Sequence, residues 1–193
     1  MHNIVATEGI VLRKSSRGEA SVSASILTRH LGLISVFARS ARRSESKLRY
    51  ALEPFTRARF SLVLGVRGWK LTGALDISRA LFLVSTERRA TAARIARLLL
   101  RLLPEGDSQE ALYTTVGEGL ATLAHSQNAE VAESIECVLV LRILFCLGYL
   151  PHAPELLPFL EGDFSTVELA AEVKHSRERL ILAINESLSA SGL

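Results

Sequence analysis

The chain has 193 residues, of which 48% are hydrophobic and 22% are charged. This composition excludes an intrinsically disordered chain, because it provides enough apolar side chains for a packed core. The most apolar stretch, residues 138–150, is shorter than the ~20 residues of a membrane-spanning helix and contains Arg142, so no membrane segment is expected. The N-terminus lacks the features of a secretory signal, so we expect a cytoplasmic protein.

The net charge of +3 is distributed unevenly along the chain. Residues 1–80 contain 14 Lys and Arg against 5 Asp and Glu, whereas residues 81–193 contain 9 against 15. The asymmetry predicts two modules with different partners, and the first is basic enough to bind a polyanion.

The first 77 residues alternate with a period of two, which is typical of half-buried strands. Strands are predicted around residues 10–13, 22–28, 33–38, 55–64 and 69–75. Short antiparallel strands in this number predict a small closed barrel. Among such barrels, the OB-fold is the common one that binds nucleic acid.

From Ile77 onward the apolar residues recur with the 3.6-residue period of helices. The first predicted helix covers residues 87–103. The second is capped by Asp107-Ser108 and runs to about His125, and the third covers residues 129–147. A last helix begins after Ser165 or nearer Lys174 and ends near Ser189. Residues 151–162 are predicted to be a loop with short helical pieces. The predicted fold is therefore a two-domain α+β chain, with a five-stranded OB-fold β-barrel at 1–77 and an all-helical domain at 78–193.

The basic loop at residues 39–49 is the first candidate binding site. It has no large apolar residue before Leu48, so we expect it to be solvated. Such a loop between the third and fourth strands of an OB barrel would border the usual ligand groove, and outward cations of the strands could face the same polyanion. The predicted DNA-binding residues are Arg39, Arg42, Arg43, Lys47 and Arg49 in the loop and Arg13, Lys14, Arg57 and Arg59 in the strands.

Two further groups of residues are weaker candidates. Tyr50 and Trp69 adjoin basic residues and are predicted to stack on bases, whereas the other aromatic residues of the basic module, such as Phe60, are expected in the core. Arg94, Arg97 and Arg101 share one face of the first helix and could extend a DNA path. A solvated face that pairs with acids is the commoner role for such a row.

Motifs for catalysis and for cofactor binding are missing from the sequence. The histidines are scattered singly, and no phosphate-binding loop or serine-nucleophile motif occurs. Cys137 and Cys146 would lie on opposite faces of one helix, so they are not expected to share a metal. We expect a non-enzymatic protein with no catalytic residues, no metal and no cofactor.

Residues 7–55 contain a set of short motifs in a fixed order. They are Gly9-Ile10-Val11-Leu12, Gly18-Glu19, Thr28-Arg29-His30-Leu31-Gly32, the basic stretch 38–43, and then Ser46, Leu48, Leu52, Pro54 and Phe55. In this combination they resemble the N-terminal domain of the RecO family of bacterial recombination mediators. Residues 144–151, LFCLGYLP, are similar to the end of the family's central helix and the turn that follows it.

The resemblance implies an OB-fold followed by a helical domain. It also implies binding of single- and double-stranded DNA without sequence specificity, strand annealing, and partnership with RecR and with the acidic C-terminal tail of single-stranded-DNA-binding protein. Loading of RecA would follow indirectly, in the bacterial cytoplasm near the nucleoid. Many relatives carry a four-cysteine zinc-binding insertion after the Gly-aromatic-x-Pro turn, but residues 151–174 contain no cysteine, so no zinc is expected.

Two alternatives stay open at the level of sequence. Residues 164–171 before a helix at Lys174 faintly resemble a helix-turn-helix motif, with Lys174, Arg177 and Arg179 as its cations. The chain could also be a protein-interaction scaffold whose barrel does not bind DNA.

Overall fold

The computed structural model of the chain describes residues 3–43, 45–46, 48–81, 84–164 and 167–190, apart from the side chains of residues 167 and 168. The chain forms two compact units, one of residues 1–84 with 96–113 and the other of residues 85–95 with 114–193. The predicted division into domains at residue 77 follows the change of periodicity and stays a prediction.

The first unit is built on a closed five-stranded barrel, which confirms the predicted OB-fold. Its strands are β1 (Ile4–Arg17), β2 (Ser21–Thr28), β3 (Gly32–Ala38), β4 (Arg57–Gly65) and β5 (Gly68–Ser78). Strand β1 pairs antiparallel with both β2 and β4, and β5 pairs antiparallel with β4 and parallel with β3. The strand order is therefore β1-β2-β3-β5-β4, and the sheet has no open edge.

The barrel core follows from the alternation in the sequence. Along β2, Val22, Ala24 and Ile26 point inward and are buried, while the serines between them lie on the other face. Between β3 and β4 a short helix, α1 (Leu48–Ala51), was not predicted; Ala51 and the following Leu52 are fully buried in the same core as Phe60.

A segment after the second helix belongs to the same unit and lies along the barrel. The N–H of Gly106 donates to the carbonyl of Leu33 at 2.9 Å, and the hydroxyl of Ser108 donates to the carbonyl of Arg29 at 3.3 Å. The next helix begins at Glu110, two residues after the predicted cap at Ser108.

The second unit is helical, as predicted. The helices of the chain after the barrel are α2 (Thr86–Leu102), α3 (Glu110–His125), α4 (Ala129–Cys146), α5 (Leu157–Leu160) and α6 (Val167–Ala190), with a 3-10 turn at Pro154–Leu156. Within the second unit, α4 is central: its buried residues include Leu139 and Leu141, and Leu139 approaches α3 so closely that a Cβ on Gly119 would lie 2.7 Å from it. Asn128 caps α4 by accepting from the N–H of Val131 at 2.9 Å.

Arg142 on α4 is a buried cation, and it forms no ion pair with a carboxylate among the described residues. Its guanidinium donates to the carbonyls of Phe159, Glu161 and Gly162 at 2.8, 2.9 and 2.9 Å, and it lies 4.0 Å from the centre of the Phe164 ring. Burial lowers its pKa. Because carbonyl oxygens at the end of α5 satisfy the guanidinium, Arg142 fixes the loop that connects α5 to α6.

Helix α6 runs without a break from Val167 through Lys174 to Ala190, so the described residues contain no turn between a first helix and a helix at Lys174. In addition, Lys174 and Arg177 pair with Glu130 and Glu133 of α4, at 2.6 and 2.8 Å. The predicted helix-turn-helix at this place is therefore wrong.

Two left-handed glycines test how tightly the segment after α2 is packed on the barrel. Gly18 (φ 62°) has no atom within 4 Å of a built Cβ, whereas a Cβ on Gly32 (φ 66°) would lie 2.1 Å from the carbonyl oxygen of Asp107. We expect Gly18→Ala to cost about 1–2 kcal/mol, the backbone strain alone. Gly32→Ala should cost clearly more, because two backbone segments must separate. Urea unfolding measures both, and equal losses would contradict the packing described.

Candidate nucleic-acid interface

Three chain connections border the outer face of β2 and β3. They are the β1–β2 turn at residues 18–20, the segment 39–43 that follows β3, and the β4–β5 turn at residues 66–67. The first two lie at the same end of this face, because Arg17 pairs with Ser21 and Val22 pairs with Ala38. The third lies beside the middle of β3, because β5 runs parallel to β3 with Trp69 opposite Val36. We call this face with its three borders the basic side of the barrel, since each connection carries or adjoins exposed cations.

The segment 39–43 is held more firmly than its composition suggested. The backbone N–H of Arg42 donates to the carbonyl of Ala20 at 2.9 Å, and its guanidinium donates to the carbonyl of Gly18 at 3.2 Å. Ala41 is fully buried, and Ser40 adopts a left-handed φ of 57°. The expectation that the whole loop is solvated was therefore wrong for its first part, because hydrogen bonds and one small apolar residue attach it to the β1–β2 turn.

The cations of the basic side have no carboxylate partner among the residues that the structure describes. They are Arg17, Arg39, Arg42, Arg43, Arg67 and Lys70, and all are exposed. Lys47, predicted to belong to this group, lies outside the described residues. A cation without a partner keeps its full charge available to an incoming anion.

Other predicted cations of the barrel are already paired with acids. The Lys14 ammonium lies 2.9 Å from Glu53, and Arg59 lies 4.0 Å from Asp76. Arg57 donates to Glu8 at 3.1 Å, and this hydrogen bond lowers the pKa of the Glu8 carboxyl.

The same acid carries a further contact at this place. The hydroxyl of Tyr113 donates to Glu8 at 3.4 Å, and the Arg57 guanidinium lies 5.5 Å from the centre of the Tyr113 ring. Burial raises the pKa of Tyr113. Arg57 is therefore compensated twice within the barrel unit, which makes it a weaker candidate than Arg39.

A row of paired side chains runs across the outer face of β1, β2, β3 and β5. Ser15 pairs with Ser23, Ser23 pairs with Phe37, and Phe37 pairs with Lys70 across the parallel β3–β5 contact. Beside this row, the exposed Arg13 pairs in register with Ser25. Arginine, lysine and serine side chains are common donors to phosphate oxygens, so this face can bind a polyanion along its length.

The aromatic candidates divide in an unexpected way. Tyr50 is 54% exposed, and the guanidinium groups of Arg49 and Arg79 lie 6.0 and 5.3 Å from its ring centre. Trp69 is half-buried and packs against the barrel core. Phe37, which the sequence placed with the core residues, is 42% exposed on the outer face. Its neighbours in β3 are almost all apolar, so the alternation did not distinguish its two faces.

A cleft of 640 Å³ adjoins Phe37 on the basic side. It is lined by Phe37, Leu64, Val66, Trp69, Arg67 and Lys70 together with the glycines of the β4–β5 turn.

The sequence alone did not point to Arg17, Arg67 or Lys70, because they are isolated in the sequence. Strand pairing brings Arg17 next to the segment 39–43 and places Lys70 beside Phe37.

The predicted row on α2 is divided between the two units. Arg94, in the second unit, is held by Glu136 of α4 through two hydrogen bonds, at 2.6 and 2.5 Å. Arg97 and Arg101, in the first unit, are exposed and have no carboxylate partner among the described residues. Arg94 therefore has the acid-paired role that sequence analysis gave as the alternative, while the other two stay candidates.

The cysteines are both half-buried in the second unit, and burial raises the pKa of Cys137 to about 11. Within the described parts of the chain, no three His, Cys, Asp or Glu side chains are grouped so that they could hold a metal ion. Among those same residues, none of the helices combines the length and apolar character needed to cross a bilayer.

The chain combines a basic OB barrel with a helical unit, and known protein families match both parts. The family described as Recombination protein O N terminal matches residues 1–72, and that described as Recombination protein O C terminal matches residues 85–154. The chain therefore belongs to the RecO family.

Individual relatives agree with this assignment. DNA repair protein RecO of Dehalococcoides mccartyi strain 195 is 33% identical over 150 residues, which is 77% of this chain and 58% of the relative. DNA repair protein RecO of Pelotomaculum thermopropionicum is 31% identical over 145 residues, 75% of this chain and 55% of the relative. The matches thus span little more than half the length of these relatives.

Proposed function

We propose that the chain is a recombination mediator in DNA repair, which binds single- and double-stranded DNA without sequence specificity at the basic side of its barrel. One observation carries the proposal: cations from three separate connections border one face of the barrel without a carboxylate partner among the described residues. Residues 1–77 would form the DNA-binding domain, and residues 78–193 would recruit other repair proteins.

Binding of this kind gains most of its free energy from phosphate contacts. Each contact releases counterions, so affinity falls as salt rises. With about five phosphates contacted, log affinity on a single strand should fall against log salt with a slope of roughly −3.5, from ~0.7 per contact. Because phosphates are the same at every base pair, such contacts give no sequence preference.

Strand annealing follows from the same contacts. Two complementary strands repel each other through their phosphates, and cations that neutralise both would lower this repulsion without covalent chemistry. The proposed activity would place the protein at the bacterial nucleoid, with RecR and, indirectly, RecA as its partners.

The helical unit offers a pocket for the acidic tail of single-stranded-DNA-binding protein. The pocket has a volume of 360 Å³, and its apolar lining includes Val131, Ile135, Phe164 and Val173. The Arg142 guanidinium lies 4.0 Å from the centre of the Phe164 ring, donates to three carbonyls and has no carboxylate partner among the described residues. An apolar pocket whose Phe164 wall contacts a cation suits a tail that combines acidic and apolar side chains.

Reversing two unpaired cations tests DNA binding. Arg39→Glu with Arg43→Glu should weaken binding of a labelled single strand and make the salt slope shallower by about 1.4, because two contacts of ~0.7 each are lost. The same variant should anneal complementary strands more slowly. Fluorescence anisotropy across a salt series measures the first effect, and a quenched-pair assay measures the second.

The matched control reverses two cations of α6, Lys174→Glu with Arg179→Glu, and changes the net charge equally. It should leave affinity and salt slope within twofold of the parent. If the α6 variant loses DNA binding while the barrel variant keeps it, the proposed site is wrong. If neither variant changes binding and the parent does not bind, the chain is a scaffold without DNA activity.

A second pair of variants tests tail recruitment. Val131 and Val140 are both half-buried on α4, but only Val131 lines the proposed pocket. Val131→Glu should weaken binding of a synthetic acidic tail peptide at least tenfold, because it adds a negative charge to the pocket. Val140→Glu should change it less than twofold. Equal effects of the two variants, or no binding by the parent at low salt, would rule out this pocket.

A further inference from the structure

The turn between β4 and β5 presents apolar side chains at an exposed tip. Val66 is fully exposed, and Leu64 on the preceding strand is 62% exposed. Gly68 adopts the left-handed φ of 96° that ends the turn, so the tip positions 66 and 67 need no special backbone and could hold polar residues. Val66, Leu64 and the exposed Phe37 line one cleft, and a contiguous exposed apolar patch of this kind is typical of a binding site.

The surroundings of this tip combine an aromatic ring with free cations. Phe37 pairs in register with Lys70, so their side chains lie side by side on the outer face. Arg67, next to Val66, and Lys70 have no carboxylate partner in the described parts of the chain. Phe37, Val66 and Lys70 line the same cleft. A ligand that fits this cleft presents flat apolar groups and negative charges at short intervals, which is the chemistry of unpaired nucleotides.

We propose that the β4–β5 turn and Phe37 form a site for unpaired bases, in which Phe37 stacks on one base and Val66 inserts between that base and its neighbour. Lys70 and Arg67 would hold the adjoining phosphates. Apolar side chains flanked by cations separate stacked bases in other DNA-binding proteins, and an aromatic ring stacks on any base. The faces of paired bases in a duplex are already stacked on their neighbours, so Phe37 and Val66 would give single strands preference over duplexes.

This inference rests on the proposed DNA binding, but its test can fail separately. The probe is a single-stranded oligonucleotide with 2-aminopurine, whose fluorescence rises when the base is unstacked, and a blunt duplex of the same length. Binding of the parent protein should raise the fluorescence. Phe37→Ala with Val66→Ser should remove this rise and weaken single-strand binding about tenfold, from the stacking contribution of one base. Duplex affinity should change less than twofold.

The control is Leu75→Ser, which removes another exposed apolar side chain, 64% exposed against 42% for Phe37, from strand β5 outside the cleft. This variant should behave as the parent does. Val66→Ser alone changes only a fully exposed side chain, so it tests the insertion even if Phe37→Ala impairs folding.

Several results would overturn the inference. If Phe37→Ala with Val66→Ser weakened single-strand and duplex binding equally, the site at Phe37 and Val66 would not distinguish the two forms of DNA. DNA binding by the parent without a fluorescence rise would contradict base insertion but leave the phosphate site standing, whereas no DNA binding at all would reject both proposals. Binding to vesicles of phosphatidylglycerol and phosphatidylcholine that Val66→Ser abolishes, with single-strand binding unchanged, would reassign the patch to a membrane surface.

Discussion

The parallel pairing of β3 with β5 is the constraint on which the candidate interface depends. It closes the barrel through only two register pairs, Val36 with Trp69 and Phe37 with Lys70. This short contact places the β4–β5 turn and Lys70 beside β3, on the same outer face that the β1–β2 turn and the segment 39–43 border at one end. Without it, Arg67 and Lys70 would not lie beside this face, and the cleft beside Phe37 would not form.

Ion pairing then decides which cations can serve a ligand. Lys14, Arg57 and Arg59 pair with acids of the barrel unit, although an exposed pair contributes at most about 1 kcal/mol to folding. The more important consequence is that these cations must lose a partner before they bind a phosphate. The cations of the basic side carry no such cost, so they are the stronger candidates for contacts with a polyanion.

Much of the fold could be predicted from the sequence, because local patterns determine it. Alternation along β2 and β4 and the helical period of α2 and α4 placed these elements to within a few residues. The sequence did not predict α1, since its four residues are too few to show a period. The partners of Arg57 and Arg94 also escaped prediction, because Glu8 and Glu136 are distant in sequence and only the fold brings each pair together.

The central claim is that the basic side of the barrel is the DNA-binding site. Amide hydrogen exchange followed by mass spectrometry, with and without a bound single-stranded oligonucleotide, locates the site without any mutation. The account predicts slower exchange in peptides that cover residues 17–21, 37–43 and 64–70. Slower exchange confined to the region of Arg29 and Arg57, or to the second unit, would contradict it.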